Sequence, residues 1–306
     1  MSTHHLDPGP GLVTDVFDPA RPPVLTVRPG DDLRVRTLDC NGYGARFEGD
    51  REPPRMLPSG RGHCLAGPIA VEGARPGDVL AVTLRSLRTD GWGWTVAGMP
   101  TPLNERLGAT EPTRLLWEVD DESGTAVDAH GFRVPVAPFL GVVGTTPAEP
   151  GEHSTIPPRP GTGGNVDCRS LVAGSTLYLP VQVEGALLCL GDGHAAQGDG
   201  EVGGTAIECG MTTELTVDLV PAPALPGVHA VTPDERIAFG FDADLNAATD
   251  AALDGIVTWV AAELGVPRTR ALAYASTCVD LRVTQVANRT WGVHAAWPRT
   301  ALRRPA

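Results

Sequence analysis

A chain of 306 residues, 42% of them hydrophobic, is long enough to bury a substantial core in one large domain or a few smaller ones. Its formal net charge of −13, from 24 basic against 37 acidic residues, argues against nucleic acid or an anionic membrane surface as partner. No apolar run approaches the roughly 20 residues that span a bilayer, and residues 1–8 show neither a basic nor an apolar leader segment, so the expected location is cytoplasmic.

In chain order, candidate strands fall at 23–27, 32–37, 78–87, 115–119, 132–136, 176–183, 186–190, 204–209 and 211–219. Many are β-branched, and Thr212 to Leu219 alternates in the manner of a half-buried strand. Turn pairs such as Pro29-Gly30-Asp31 and Pro76-Gly77-Asp78 separate them. Short strands punctuated by 37 Gly and 29 Pro predict a sandwich- or barrel-like body. Residues 149–164, rich in Pro and Gly, read as a long irregular loop, a type that usually carries function.

The last third changes character. Leu253, Ile256, Val257, Val260, Ala261 and Leu264 share one helical stripe within 246–264, and Gly265 and Pro267 supply a stop. A shorter helix at 269–275, an alternating strand at 279–286 and a partner at 292–297 complete a small unit, followed by a frayed tail at 299–306. The expected fold class is mainly β with a smaller α+β part, a C-terminal helix–strand unit. It divides into a β-rich segment 1–145, a central β segment 146–235 carrying the polar site, and an α+β unit 236–306. Exposed strand edges in such a body favour a homodimer.

The most informative segment is Gly191-Asp192-Gly193-His194-Ala195-Ala196-Gln197-Gly198-Asp199-Gly200-Glu201. It reads as a loop that sets carboxylates and an imidazole among glycines, the ligand types that hard and borderline divalent cations accept. A solvated Gly-rich turn would look the same, but Leu187-Leu188-Cys189-Leu190 and Ala206-Ile207 flank it with apolar residues. Carboxylates entering a core need a cation or strong hydrogen bonds. Asp192 and His194, two apart, point to one side of an extended segment and can reach one ion. Glu208 interrupts an apolar strand and is a candidate general base together with Glu201. Three further clusters could join them: Asp39 in Asp39-Cys40-Asn41-Gly42-Tyr43-Gly44, His63 in Gly62-His63-Cys64, and Asn165 with Asp167 in Gly163-Gly164-Asn165-Val166-Asp167. Taken singly, each also fits a turn former or a hydrogen-bonded core residue. Asn165 and Gln197 are amides suited to binding another amide.

The chain contains no Lys, which excludes Schiff-base, Ser–Lys and Cys–Glu–Lys chemistry. Its six cysteines form no CxxC pair and are expected to be free, buried thiols. Nucleophilic catalysis by Cys64 or Cys168 would need a low-pKa thiolate beside a His, and His63, adjacent to Cys64, would point to the opposite face of a strand.

These segments, with His63 to Ala74, Pro76 to Leu80, Gly141 to Thr145, Ile156-Pro157-Pro158, Leu177 to Val181 and Gly185 to Glu201, resemble the acetamidase/formamidase family through nearly the whole chain. The chain departs from the family pattern at Cys64 (usually Pro), Val166 (Met) and Gly203 (commonly Cys). The resemblance implies hydrolysis of a small linear amide to ammonia and a carboxylic acid, a mainly β fold and a metal-supported site, with zinc as the ion and calcium as the alternative. On this reading Asp167, Asp192 and His194 are metal ligands, with Asp39 and His63 as further candidates. Glu201 or Glu208 is then the acid/base group, and Asn165 or Gln197 orients the substrate. Alternatives are a larger amide, formamide or carbamoyl substrate, or a non-catalytic calcium-binding β module.

Overall fold

The computed structural model describes residues 2–49, 51–99, 102–220, 225 and 227–302. The β body consists of two large open sheets rather than a closed barrel. The nine-stranded sheet runs Thr3–Leu6, Asp32–Thr37, Met211–Val220, Val79–Thr89, Thr176–Pro180, His229–Val231, Glu235–Asp242, Trp291–Pro298, Asp280–Gln285. All its neighbours are antiparallel except the first pair. The eleven-stranded sheet runs from Arg133–Pro135 through Thr125–Asp128, Thr113–Asp120, Trp92–Ala97, Glu208–Cys209, Leu188–His194 and Phe139–Gly144 to Gly163–Asn165. Leu65–Val71 joins it beside Leu188–His194 and carries Val13–Thr14 and Leu25–Val27.

One apolar cluster joins the sheets, with Leu33, Val82 and Val217 from the first and Ile69, Leu140 and Leu190 from the second. Strand Asp32–Thr37 buries Leu33, Val35 and Thr37 and leaves the intervening side chains toward solvent, which is why its alternation was readable. Leu188–His194 and Phe139–Gly144 are buried on both faces.

The C-terminal helix spans Leu245–Leu264. Asp244 caps it by accepting from the Asn246 and Ala247 N–H groups, and Gly265 ends it in the left-handed region. Ala248, Ala252, Ile256, Val257 and Val260 pack down on Glu235–Asp242 and Trp291–Pro298. The second helix, Arg268–Cys278, is longer than the expected 269–275. The nine-stranded sheet takes strands from each of the segments 1–145, 146–235 and 236–306. Among the described residues no helix is long and apolar enough to cross a membrane.

Several expectations need correction. The strand expected at 204–209 shrinks to Glu208–Cys209. Before it, the Glu208 carboxylate takes the Ala206 N–H, and Thr205 Oγ1 bonds both the N–H and the carbonyl of Val96, so side chains replace the ladder toward Trp92–Ala97, while Ile207 keeps backbone bonds to Ala195 and Ala196. The strand at 132–136 reduces to Arg133–Pro135, and that at 23–27 to Leu25–Val27. Thr3–Leu6, Leu65–Val71, Trp92–Ala97 and Phe139–Gly144 were not anticipated. The 149–164 loop contains His153–Ser154, paired with Val16–Phe17. Of the tail, Ala301 and Leu302 pack on the C-terminal core, while 303–306 lie outside the described residues. All six cysteines are free, but Cys40 and Cys278 are only half-buried.

Candidate active site

Strand Leu188–His194 delivers the two central side chains. It lies between Phe139–Gly144, Leu65–Val71 and Glu208–Cys209, and every residue in it is buried. The segment expected to be a loop thus begins as a central strand. Gly193 permits this, since a Cβ there would lie 2.7 Å from the Cys209 carbonyl oxygen. Asp192 and His194 fall on one side of the strand: His194 Nε2 is 3.4 Å from Asp192 Oδ1 and 3.3 Å from Glu208 Oε2 on the adjacent strand.

Asp167 enters just after strand Gly163–Asn165, and Glu201 from the turn beyond His194. Asp167, Asp192 and Glu201 have φ of 48°, 59° and 44°, left-handed values uncommon outside glycine and costing about 1–3 kcal/mol each. Gly141 forms the floor beneath them. A Cβ at that position would sit 2.5 Å from Asp192 Oδ2, 2.7 Å from Asp167 Oδ1 and 2.9 Å from His194 Cε1.

The side chains form two ligand-rich groups. Asp167, His194 and Glu201 offer atoms within 4.8 Å of one another, and so do Cys40, Asp192 and Glu208. Both Asp167 oxygens, Glu201 Oε2 and Glu208 Oε2 are buried with no hydrogen-bond partner among the described residues. Ionised buried carboxylates without partners carry a desolvation penalty of several kcal/mol each. A divalent cation is the group that this donor set fits.

The tautomer of His194 follows from its neighbour. Gln197 Nε2 donates to the Asp167 carbonyl at 2.7 Å, which turns Gln197 Oε1 toward His194 Nδ1 at 2.9 Å. Nδ1 therefore donates to Gln197 in either charge state of the ring, and Nε2 faces Asp192 and Glu208. Engaged at both ends, Gln197 positions the imidazole and the Asp167 backbone. Asn165 instead lines the cavity, its Nδ2 donating to the Ile156 carbonyl while Oδ1 is buried without a partner.

Charge and burial compete throughout the cluster. Burial pushes the carboxyls of Asp167 and Glu201 well above the usual range. Burial also opposes ionisation of Asp192, but His63 and His194 outweigh it and hold that carboxyl below its ordinary value. For His194 burial favours the neutral ring, yet Glu208 and Asp192 prevail and raise its pKa well above normal.

His63 stands at the edge, Nδ1 3.1 Å from Thr155 Oγ1 and Nε2 3.9 Å from Asp192 Oδ2. Asp39 is occupied elsewhere: it accepts from Trp94 Nε1 at 2.8 Å and the Tyr43 N–H at 2.9 Å, and burial lifts its pKa to about 7. Cys64 and Cys168 are buried thiols pushed up to about 12, the opposite of what a nucleophile needs. A cavity of about 500 Å³ opens onto Asp167, Asp192, Glu201 and Glu208.

The acetamidase/formamidase family model matches residues 11–151 and 148–225. The chain belongs to the acetamidase/formamidase family. Among curated members, the acetamidase of Mycolicibacterium smegmatis is 27% identical, the match covering 67% of this chain and 65% of that protein. The formamidase of Methylophilus methylotrophus is 26% identical over 63% of this chain and 60% of its own length. The chain thus spans less than two thirds of the length of these curated relatives. Solved structures match more completely. An acetamidase from Bacillus halodurans superposes with TM-score 0.86 at 27% identity, covering 96% of this chain and 97% of that one. An acetamidase from Yersinia enterocolitica gives TM-score 0.86 at 28% identity, covering 99% and 93%.

Within this family frame, two parts of the site escaped sequence reasoning. Cys40 was expected to be a core thiol but lines the cavity beside Asp192 and Glu208. The cavity wall of Tyr43, Phe47 and Trp94, braced by Glu52, Arg55 and Arg114, was not anticipated either. The alternation Trp92-Gly93-Trp94 was a strand signal that would have placed Trp94, whereas residues 44–62 have no periodicity from which to place the rest.

Proposed function

We propose that this protein hydrolyses a small linear amide to ammonia and a carboxylic acid, at a site that holds a divalent cation, zinc in preference to calcium. The reading is carried by one observation. Four buried carboxylates, several of their oxygens without partners, converge on His194 at the inner end of a cavity. Membership of the family and the names of its relatives support the amide as substrate. The His194 imidazole among the carboxylates favours zinc over calcium, which prefers oxygen alone.

Asp167, Asp192 and His194 are the residues that would hold the ion. Bound there, such an ion supplies Lewis acidity toward a carbonyl oxygen or a water of lowered pKa. Asn165 Oδ1, fixed by the Nδ2 bond to Ile156, is placed to accept from the substrate NH2 group. Glu201 is the acid/base group. Burial beside Asp167 raises its carboxyl above the usual range, which makes it a stronger base for a water proton that it then returns to the leaving nitrogen. Glu208, anchored at Oε1 by the Ala206 N–H, sets Oε2 3.3 Å from His194 Nε2, across the ring from Gln197's bond to Nδ1.

The test is ammonia release from formamide and acetamide with and without chelator, alongside metal content of the purified protein. His194→Ala should lose both turnover and stoichiometric metal. Full activity in that variant, or in demonstrably metal-free protein, ends this reading.

A further inference from the structure

The cavity is larger and more aromatic than a one- or two-carbon acyl group requires. At about 500 Å³ it lies in the range that encloses drug-sized ligands, about 300–1,000 Å³. Its carboxylates occupy the inner end. The remaining wall sets Tyr43, Phe47, Trp94, Val96, Met99 and Ile156 beside polar groups that include Glu52, Arg55, Arg114 and Asn288.

The three rings meet edge to face, with centroids 5.1 Å apart for Tyr43 and Phe47, 6.2 Å for Phe47 and Trp94, and 6.3 Å for Tyr43 and Trp94. They are also braced. The Arg114 guanidinium lies 4.4 Å from the Phe47 ring centroid and that of Arg55 lies 5.2 Å from the Tyr43 centroid. Both cations bond to Glu52, at 2.8 Å and 3.4 Å, and the Tyr43 hydroxyl donates to the same carboxylate at 2.7 Å. Ring positions fixed in this way form a preorganised surface, which lowers the ordering cost of binding a flat apolar group.

We infer that the substrate is a neutral primary amide whose acyl group carries an aromatic ring, of arylacetamide size. This rests on the amide-hydrolysis reading and names the acyl group for that site. The NH2–C=O end lies against Asn165 and the carboxylates, and the ring occupies the wall of Tyr43, Phe47 and Trp94. Aromatic pairs in such geometry contribute beyond their buried area, which a methyl group cannot match. An anionic tail is disfavoured because Glu52 already engages Arg55 and a terminal nitrogen of Arg114, while the inner end is strongly acidic.

The experiment compares kcat/KM for acetamide, phenylacetamide and the anionic succinamic acid, and follows binding of phenylacetamide separately through tryptophan fluorescence. Phenylacetamide should exceed acetamide by at least about tenfold, with succinamic acid the poorest, and Phe47→Ala should lower the phenylacetamide-to-acetamide ratio by about tenfold. Phe47→Leu, which keeps apolar volume but no ring, should lower it in the same direction. Equal or better use of acetamide, or an unchanged ratio in both variants, overturns the inference. If no amide is cleaved, the hydrolytic reading fails by itself. Saturable quenching by phenylacetamide then still supports the aryl pocket, and its absence removes it.

Discussion

Three of the site's acids stand in backbone conformations that non-glycine residues rarely adopt, and the strand that carries one of them is buried on every side. Asp and Asn tolerate this region better than other side chains, but Glu201 gains nothing from that preference. Its backbone N–H bonds to the Gly198 carbonyl, and its carbonyl accepts from the Gly204 N–H. The turn therefore holds Glu201 against its own preference. Gly141 is the counterpart on the other side, where absence of a side chain is what lets Asp167 and Asp192 approach. Gly141→Ala should leave the circular dichroism spectrum unchanged while lowering kcat/KM for acetamide about 100-fold, the scale expected for misplacing reacting groups by about 1 Å. Activity near wild type would show that this carboxylate arrangement is not the working one.

At the scale of elements, the helix Leu245–Leu264 shows what a sequence makes legible. Its stripe has the 3.6-residue period, its cap is an Asp and its stop a Gly. Asp244→Ala removes the acceptor for two N–H groups and should cost about 1 kcal/mol, read from the shift in urea midpoint at constant slope. Leu188–His194 shows the opposite. Its Gly-Asp-Gly-His half has neither strand propensity nor alternation, because it is covered on both faces and shaped by the polar side chains it presents. That Asp192, His194, Glu201 and Glu208 enter a core was legible, since acids set among apolar residues demand a partner, whereas Asp167 was tied to them only by the family resemblance. The division of labour between Asn165, which faces the cavity, and Gln197, which braces His194, depends on orientations that spacing does not encode. The aromatic wall was hidden for a different reason: Phe47, Glu52 and Arg55 lie in an irregular segment and meet Trp94 and Arg114 only through the tertiary fold.

For the molecule as a whole, His294 sets one limit on stability. It is buried on strand Trp291–Pro298, Nδ1 2.8 Å from Thr284 Oγ1 and Nε2 without a partner among the described residues. Burial, with Arg282 adding, lowers its pKa to about 3. The unfolded chain takes up this proton near pH 6.5 and the folded one does not. The contribution is therefore intact above about pH 6.5 and is lost as pH falls toward 3, with a slope approaching 1.4 kcal/mol per unit (about one proton). His294→Gln, which keeps a polar partner for Thr284, should flatten the stability profile between about pH 6.5 and 4 relative to wild type in urea titrations. An unchanged profile would place the acid sensitivity elsewhere. The topology of the nine-stranded sheet also bears on how the chain is made. Thr37 and its partner Met211 are 174 residues apart. At about 5–20 residues per second, a nascent chain would carry one bare edge of Asp32–Thr37 for roughly 10–35 s of translation. Until Met211–Val220 arrives, that edge is open to pairing with another chain, so a slower translation rate lengthens the exposure.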